Sequence, residues 1–137
     1  DVIQMLNGAI GGLVAITAEP LMPSPLAAIL IGGVGGIIVI FGTKLLFHFK
    51  IDDVVGAIPA HLFSGIWGTL AVPITNPGAS FSAQLLGVIS INAFVFIVSF
   101  LVWSIMKNTM GIRLSKLAEL KGTDVSETGV IAYAIRD

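Results

Sequence analysis

Three long stretches of this chain contain no Asp, Glu, Lys or Arg: residues 2–18, 20–43 and 54–106. The third is too long for one helical crossing of a bilayer, because a hydrocarbon core of ~30 Å needs about 20 apolar residues. Only 11% of the 137 residues are charged and 55% are hydrophobic, and the mean hydropathy is +1.00. A water-soluble domain of this size cannot bury so much apolar surface. The pattern predicts an all-α, polytopic transmembrane helix bundle.

Prolines and short polar residues divide the third stretch. Residues 73–80 (PITNPGAS) have the composition of a turn between two helices. We therefore expect a transmembrane region over residues 1–112 and a tail over residues 113–137. The predicted helices cover about residues 3–19, 25–47, 54–72 and 82–108. The chain begins with Asp1 and shows no signal peptide, so we expect a segment of a longer protein.

The positions of Lys and Arg predict the orientation in the membrane. Lys44 and Lys50 precede the third predicted helix, and the remaining basic residues lie at or beyond the end of the fourth. The other two loops contain neither Lys nor Arg. Because basic loops stay on the cytoplasmic side, we expect an integral protein of the plasma (inner) membrane with a cytoplasmic C-terminal tail.

Composition and motifs argue against several classes of protein. The chain has no cysteine, so thiolate metal sites and cysteine nucleophiles are excluded. A net charge of −1 lacks the basic balance of a nucleic-acid-binding protein. The sequence contains neither His-Glu-x-x-His nor Gly-x-Ser-x-Gly. We therefore expect no enzyme activity, catalytic residue, metal, cofactor or nucleic-acid partner.

Glycines cluster in the first two predicted helices. Gly8 and Gly12, and likewise Gly32 and Gly36, are four positions apart. This spacing places each pair on one helix face and favours close helix packing in lipid. A phosphate-binding loop is the alternative, but these glycines lie inside apolar helices with no strand before them. Helix packing is the favoured interpretation.

His61 is the main candidate for function. It follows Asp53 by eight residues, which places it ~12 Å into the membrane along a helix. Ionisable residues at such depth are costly and usually functional. A neutral imidazole donates one hydrogen bond and accepts another, which suits a pore for a small neutral molecule or a proton relay. The alternative is a histidine bonded to a neighbouring helix.

Other polar residues have both structural and functional interpretations. Pro59 has no N–H and therefore frees the carbonyl of Val55. The resulting kink either serves a pore or is merely tolerated in a membrane helix. Thr17 either lines a pathway or bonds to its own backbone. Asp53 is expected to cap the third helix, where its charge favours the helix dipole.

Four further side chains are assigned packing or anchoring roles. Asn7 and Asn92 are expected to form interhelical hydrogen bonds. His48, beside two lysines, is expected to be an interfacial anchor. Trp67 either packs between helices or marks a membrane interface, and the sequence leaves both interpretations open.

Four blocks of the chain resemble the ammonium transporter (Amt/Mep/Rh) family and occur in the family's order. They are residues 6–17 (LNGAIGGLVAIT), 51–61 (IDDVVGAIPAH), 65–70 (GIWGTL) and 122–127 (GTDVSE). The resemblance covers nearly the whole chain. It implies the last four of eleven transmembrane helices and the start of a cytoplasmic tail.

The resemblance also implies a function. His61 matches the second of two histidines in a hydrophobic pore that conducts ammonium or ammonia, while the first histidine and the outer recruitment site belong to earlier helices. Thr17 matches a threonine near the outer end of the family's eighth helix. Asp53 matches a structural aspartate near the pore. The implied partners are ammonium, membrane lipid, further copies in a homotrimer and a cytoplasmic regulatory protein at the tail. An ammonium sensor on the same scaffold is the alternative.

The chain departs from the family's pattern at several positions. Val54 replaces a common proline, and Leu62 follows His61 where a glycine is frequent. In the tail, Thr128 replaces a frequent histidine, and residues 130–131 replace a commonly acidic pair. The departures in the tail weaken the expectation that a partner protein regulates the transporter there. They affect the expectation of conduction less.

Overall fold

The computed structural model describes residues 2–20 and 24–131. Its helices are α1 (Val2–Ile16), α2 (Pro25–His48), a π-helical segment (Ile58–Phe63) that runs directly into α3 (Ser64–Thr75), α4 (Phe81–Thr109), α5 (Lys116–Lys121) and a second π-helical segment (Asp124–Thr128). These described ranges contain no β-strand. The all-α prediction is confirmed. The chain divides into two compact units, Asp1–Ala93 and Phe94–Asp137.

Helix ends differ from the predicted positions for local reasons. α1 ends at Ile16 rather than near residue 19, because both the N–H and the hydroxyl of Thr17 bond to the carbonyl of Val14. The third helix begins at Ile58 rather than near residue 54, since residues 53–56 form a turn in which Gly56 has φ +74°. α2 begins where predicted, with the Ser24 hydroxyl accepting from the N–H of Ala27 at 3.4 Å.

Within residues 2–20 and 24–131, two helices are long and apolar enough to cross a membrane: α2, with 24 residues, and α4, with 29. α1 is apolar but shorter, with 15 residues. At 1.5 Å per residue, α2 and α4 each exceed the ~30 Å of a hydrocarbon core. These lengths agree with a protein that lies in a membrane.

Glycines bring α1 and α2 together as antiparallel neighbours. A Cβ atom on Gly12 would lie 3.0 Å from the carbonyl oxygen of Gly32, and one on Gly36 would lie 3.2 Å from that of Gly8. Helices approach this closely in lipid only where side chains are absent or small. The packing role predicted from the spacing of these four glycines is confirmed.

The closest approaches involve glycines outside those two predicted pairs. A Cβ atom on Gly35 would lie 2.6 Å from the carbonyl oxygen of Gly11. One on Gly68 of α3 would overlap the backbone of Ala15. A third helix therefore joins the pair through a further glycine.

The core of the first unit lies among α1, α2 and α3. Ala15, Ile31 and Ala71, one from each helix, are buried together, and Trp67 packs against them. The indole N–H of Trp67 donates to the carbonyl of Ile31 at 3.0 Å. Trp67 therefore packs between helices. In the same unit, the hydroxyl of Thr75, the last residue of α3, donates to the carboxylate of Glu19.

The second unit contains the end of α4 and the short elements that follow. None of the residues of α4 is buried, and the rings of Phe96 and Phe100 stack with centroids 6.3 Å apart. Beyond α4, Arg113 Nε lies 2.8 Å from a carboxylate oxygen of Glu119, and Ser115 caps α5. The division predicted at residue 112 separates a transmembrane region from a cytoplasmic tail, which is a different distinction from these two compact units. It stays a prediction.

Candidate functional site

The π-helical segment that carries His61 begins at an unusual junction. Pro59 has no N–H, so the carbonyl of Val55 has no helical partner. The side-chain amide of Asn7 in α1 donates to that carbonyl at 2.8 Å. Asn7 therefore links α1 to the turn that precedes the π-helical segment, rather than to another helix as expected, and its amide satisfies the freed carbonyl.

Asp53 supplies the helix cap from just upstream of the segment. Its carboxylate oxygens accept from the N–H groups of Ala57 at 2.9 Å and Ile58 at 2.8 Å. A carboxylate at this end also favours the helix dipole. The Asp53 carboxylate therefore caps the helix start as predicted, although Ala57 and not Asp53 occupies the N-cap position.

Ser64, the first residue of α3, directly follows the π-helical segment and is completely buried. Its N–H bonds to the carbonyls of Pro59 and His61. Its hydroxyl lies 3.1 Å from the carbonyl oxygen of Pro59 and 3.2 Å from that of Gly35 in α2. Sequence reasoning missed Ser64. The available signal was a hydroxyl three residues after the candidate histidine, where an apolar side chain would otherwise fill the helix interface.

His61 lines an open cavity of about 290 Å³ within the first unit. Three other polar side chains line it: Thr69 of α3, and Gln84 and Asn92 of α4. The remaining lining residues are aliphatic or glycine. The side chain of His61 is exposed, and its imidazole makes no hydrogen bond to any residue within 2–20 or 24–131. The alternative of a histidine already bonded to a neighbouring helix therefore finds no support in this part of the chain.

Of the other candidates, Thr17 and His48 lie apart from this cavity and Asn92 lines it. The Thr17 hydroxyl donates to the carbonyl of Val14 at 2.7 Å, which matches the backbone-bonded alternative. Asn92 does line the cavity, but its amide donates to the carbonyl of Val88 in its own helix at 2.7 Å, so the expected interhelical bond is wrong. His48 contacts the ring of Phe49, with centroids 5.3 Å apart.

The arrangement resembles neither a metal site nor a hydrolytic centre. No group of three or more His, Asp or Glu side chains within the described ranges is placed to hold a metal ion. No charged side chain lines the cavity beside His61. The cavity offers hydrogen bonding by the imidazole and three neutral polar side chains, and proton exchange by the imidazole.

Comparison with known proteins identifies the family. The model of the Ammonium Transporter Family matches residues 1–133. The chain is 36% identical to an ammonium transporter of Archaeoglobus fulgidus, over 97% of this chain and 33% of that protein. It is 42% identical to a putative ammonium transporter of Synechocystis, over 94% of this chain and 30% of that protein.

A third relative extends the comparison to another bacterium. The chain is 31% identical to an ammonium transporter of Bacillus subtilis, over 93% of this chain and 36% of that protein. The chain therefore spans about a third of the length of these relatives. Its apolar helices and this likeness identify an integral membrane protein. This chain belongs to the Ammonium Transporter Family.

Proposed function

We propose that the complete protein containing this chain conducts ammonium or ammonia across a membrane, and that His61 lies in the pore. The observation that carries the proposal is the exposed imidazole of His61, without a hydrogen-bond partner in residues 2–20 and 24–131, in a mainly apolar cavity. Membership in the family supplies the substrate class. The relatives named above are transporters or putative transporters of ammonium.

Physical chemistry favours separating ammonium into ammonia and a proton. A charged side chain at the bilayer centre costs about 3 kcal/mol or more, whereas neutral ammonia avoids that cost. A neutral imidazole accepts a hydrogen bond at one nitrogen and donates at the other. His61 can therefore hold ammonia and take up and release the proton that ammonium loses, so that both are reunited on the other side.

The finer assignments belong to the same proposal. Asp53 orders the cytoplasmic start of the helix that carries His61, through its two hydrogen bonds to the backbone. Thr17 lies near the outer end of the pathway. The complete protein is a homotrimer in the plasma membrane, surrounded by lipid, with a cytoplasmic tail that receives a regulatory protein.

The test is charge movement on an ammonium pulse in proteoliposomes that contain the complete protein. Replacing His61 by alanine should lower the rate of ammonium-dependent current by roughly 100-fold, the lower end of what a positioned acid–base group contributes. His48→Gln is the matched control, since His48 is exposed but lies outside the cavity. That variant should transport like the unmodified protein.

Each outcome discriminates between mechanisms. Equal, equally selective transport by His61→Ala and the unmodified protein would overturn the role of the histidine. An ammonia-driven pH change without current would identify conduction of the neutral gas alone. Ammonium binding without current or pH change would replace the transporter by the sensor.

A further inference from the structure

The buried hydroxyl of Ser64 connects the segment that carries His61 to the most tightly packed part of the bundle. A hydroxyl has one proton, so the carbonyl oxygens of Pro59 and Gly35, at 3.1 and 3.2 Å, share it. Gly35 is itself fixed against α1, since even a Cβ atom there would lie 2.6 Å from the carbonyl oxygen of Gly11. The side chain of Ser64 therefore links the π-helical segment to the tightly packed face of α2.

The Pro59 carbonyl bonds the π-helical segment to Ser64, the first residue of α3. It accepts the N–H of Ser64, five residues later, as a π-helix requires. The hydroxyl of Ser64 adds a second donor to the same oxygen. Single π turns inside α-helices are rare and are often found at functional sites. Here the turn occupies residues 58–63 and contains His61.

We propose that Ser64 is a positioning residue for His61. Its hydroxyl holds the Pro59 carbonyl in the π turn and against α2, which sets the direction in which the imidazole projects into the cavity. Without the hydroxyl, the turn relaxes toward α-helical bonding and rotates His61 relative to the cavity wall. The consequence for transport rests on the proposed function, whereas the consequence for the placement of His61 does not.

Two substitutions in the complete protein separate hydrogen bonding from packing. Ser64→Ala removes both the donor and part of the volume, while Ser64→Cys slightly enlarges the side chain and leaves only a weak donor. Ser90→Ala is the control, because the Ser90 hydroxyl donates to the carbonyl of Leu86 in its own helix, away from the π turn. All are compared with the unmodified protein in the same lipid.

The first measurement is independent of transport. Modification of histidines by diethyl pyrocarbonate is mapped by mass spectrometry, with His48 as the internal reference. Ser64→Ala and Ser64→Cys should both change the ratio of His61 to His48 modification by at least about threefold, whereas Ser90→Ala should leave it unchanged. An unchanged ratio in both Ser64 variants would overturn the proposal even if the proteins transport normally.

The second measurement is the pH profile of ammonium transport and its selectivity over methylammonium. A misplaced acid–base group should lower the rate about tenfold and alter both properties. A lower rate with unchanged pH profile and selectivity would mean that Ser64 only stabilises the bundle, which overturns the proposal. Absence of transport by the unmodified protein would contradict the proposed function, and the modification ratio would still decide the role of Ser64.

Discussion

The two longest helices are both apolar, yet they relate to their surroundings in opposite ways. α2 has one face of buried residues, including Gly35, Val39 and Gly42, that meets α1 and the π-helical segment. α4 has no buried residue, and a Cβ atom on its Gly87 would meet nothing within 4 Å. Hydrophobicity therefore predicts that a helix lies in a membrane, but small residues on one face determine whether it packs against protein. The described residues leave the apolar surface of α4 uncovered.

The largest expected effect comes from filling the tight face of α2. Replacing Gly35 by alanine places a methyl group against the Gly11 backbone and 2.7 Å from the Cβ atom of Ala15. Neither neighbour is a flexible side-chain end, so the helices must separate, at a cost of about 1–3 kcal/mol. The thermal unfolding midpoint of the complete protein in detergent should fall accordingly.

Two glycines provide controls for that substitution. Gly33 lies on α2, and Gly87 lies on α4, and a Cβ atom on either would meet nothing within 4 Å. Gly33→Ala and Gly87→Ala should leave the midpoint unchanged or raise it slightly, because alanine favours helix. A fall for Gly87→Ala equal to that for Gly35→Ala would remove the contrast between the helices.

The two tryptophans sharpen the contrast with a smaller effect. In Trp67→Phe, the bond from the indole N–H to the Ile31 carbonyl is lost, at about 1 kcal/mol. Trp103 of α4 is 57% exposed, so Trp103→Phe should change the free energy of unfolding little. Unfolding by a denaturing detergent measures both. Equal losses would indicate that Trp103 also packs against protein in the complete molecule.

The sequence predicted the features that follow from spacing or from a single side chain. The spacing of Gly8 and Gly12 predicts close packing, because residues four positions apart lie on one helix face. Asp53 predicts a cap, because carboxylates accept hydrogen bonds from the free N–H groups at a helix start. His61 was identifiable because an ionisable group is costly within an apolar stretch. Each of these signals is local.

The features that were missed depend on tertiary geometry. Neither the π turn nor the partner of the Val55 carbonyl can be derived from Pro59 alone, because the nearest donor, Asn7, lies 48 positions away. Nothing in the sequence around Ser64 indicates a special role. Its hydroxyl has a second acceptor only because the fold places the carbonyl of Gly35 beside it. Asn92 was assigned a partner on another helix because sequence does not reveal which carbonyls are already satisfied.

The smallest expected effect lies in the tail, where an exposed ion pair replaces helix packing. Hydrogen bonding and then charge attraction from Arg113 lower the pKa of Glu119 below its ordinary value. The pair therefore stabilises α5 above the ordinary carboxyl pKa, and this contribution is lost as the pH falls through the lowered pKa of Glu119. Amide hydrogen exchange of α5 should show lower protection at acidic pH in the unmodified protein, after correction for intrinsic rates.

Glu119→Gln isolates the carboxylate from the other acidic groups of the tail, such as Glu127. Its α5 amides should show weaker protection at neutral pH and a smaller acid-dependent loss than those of the unmodified protein. Salt at about 1 M, where the screening length is ~3 Å, should diminish the difference, because exposed pairs are readily screened. The packing of Gly35 should respond to neither salt nor this substitution. The same acid-dependent loss in Glu119→Gln would assign the effect to another group and show that the Arg113–Glu119 pair does not stabilise α5.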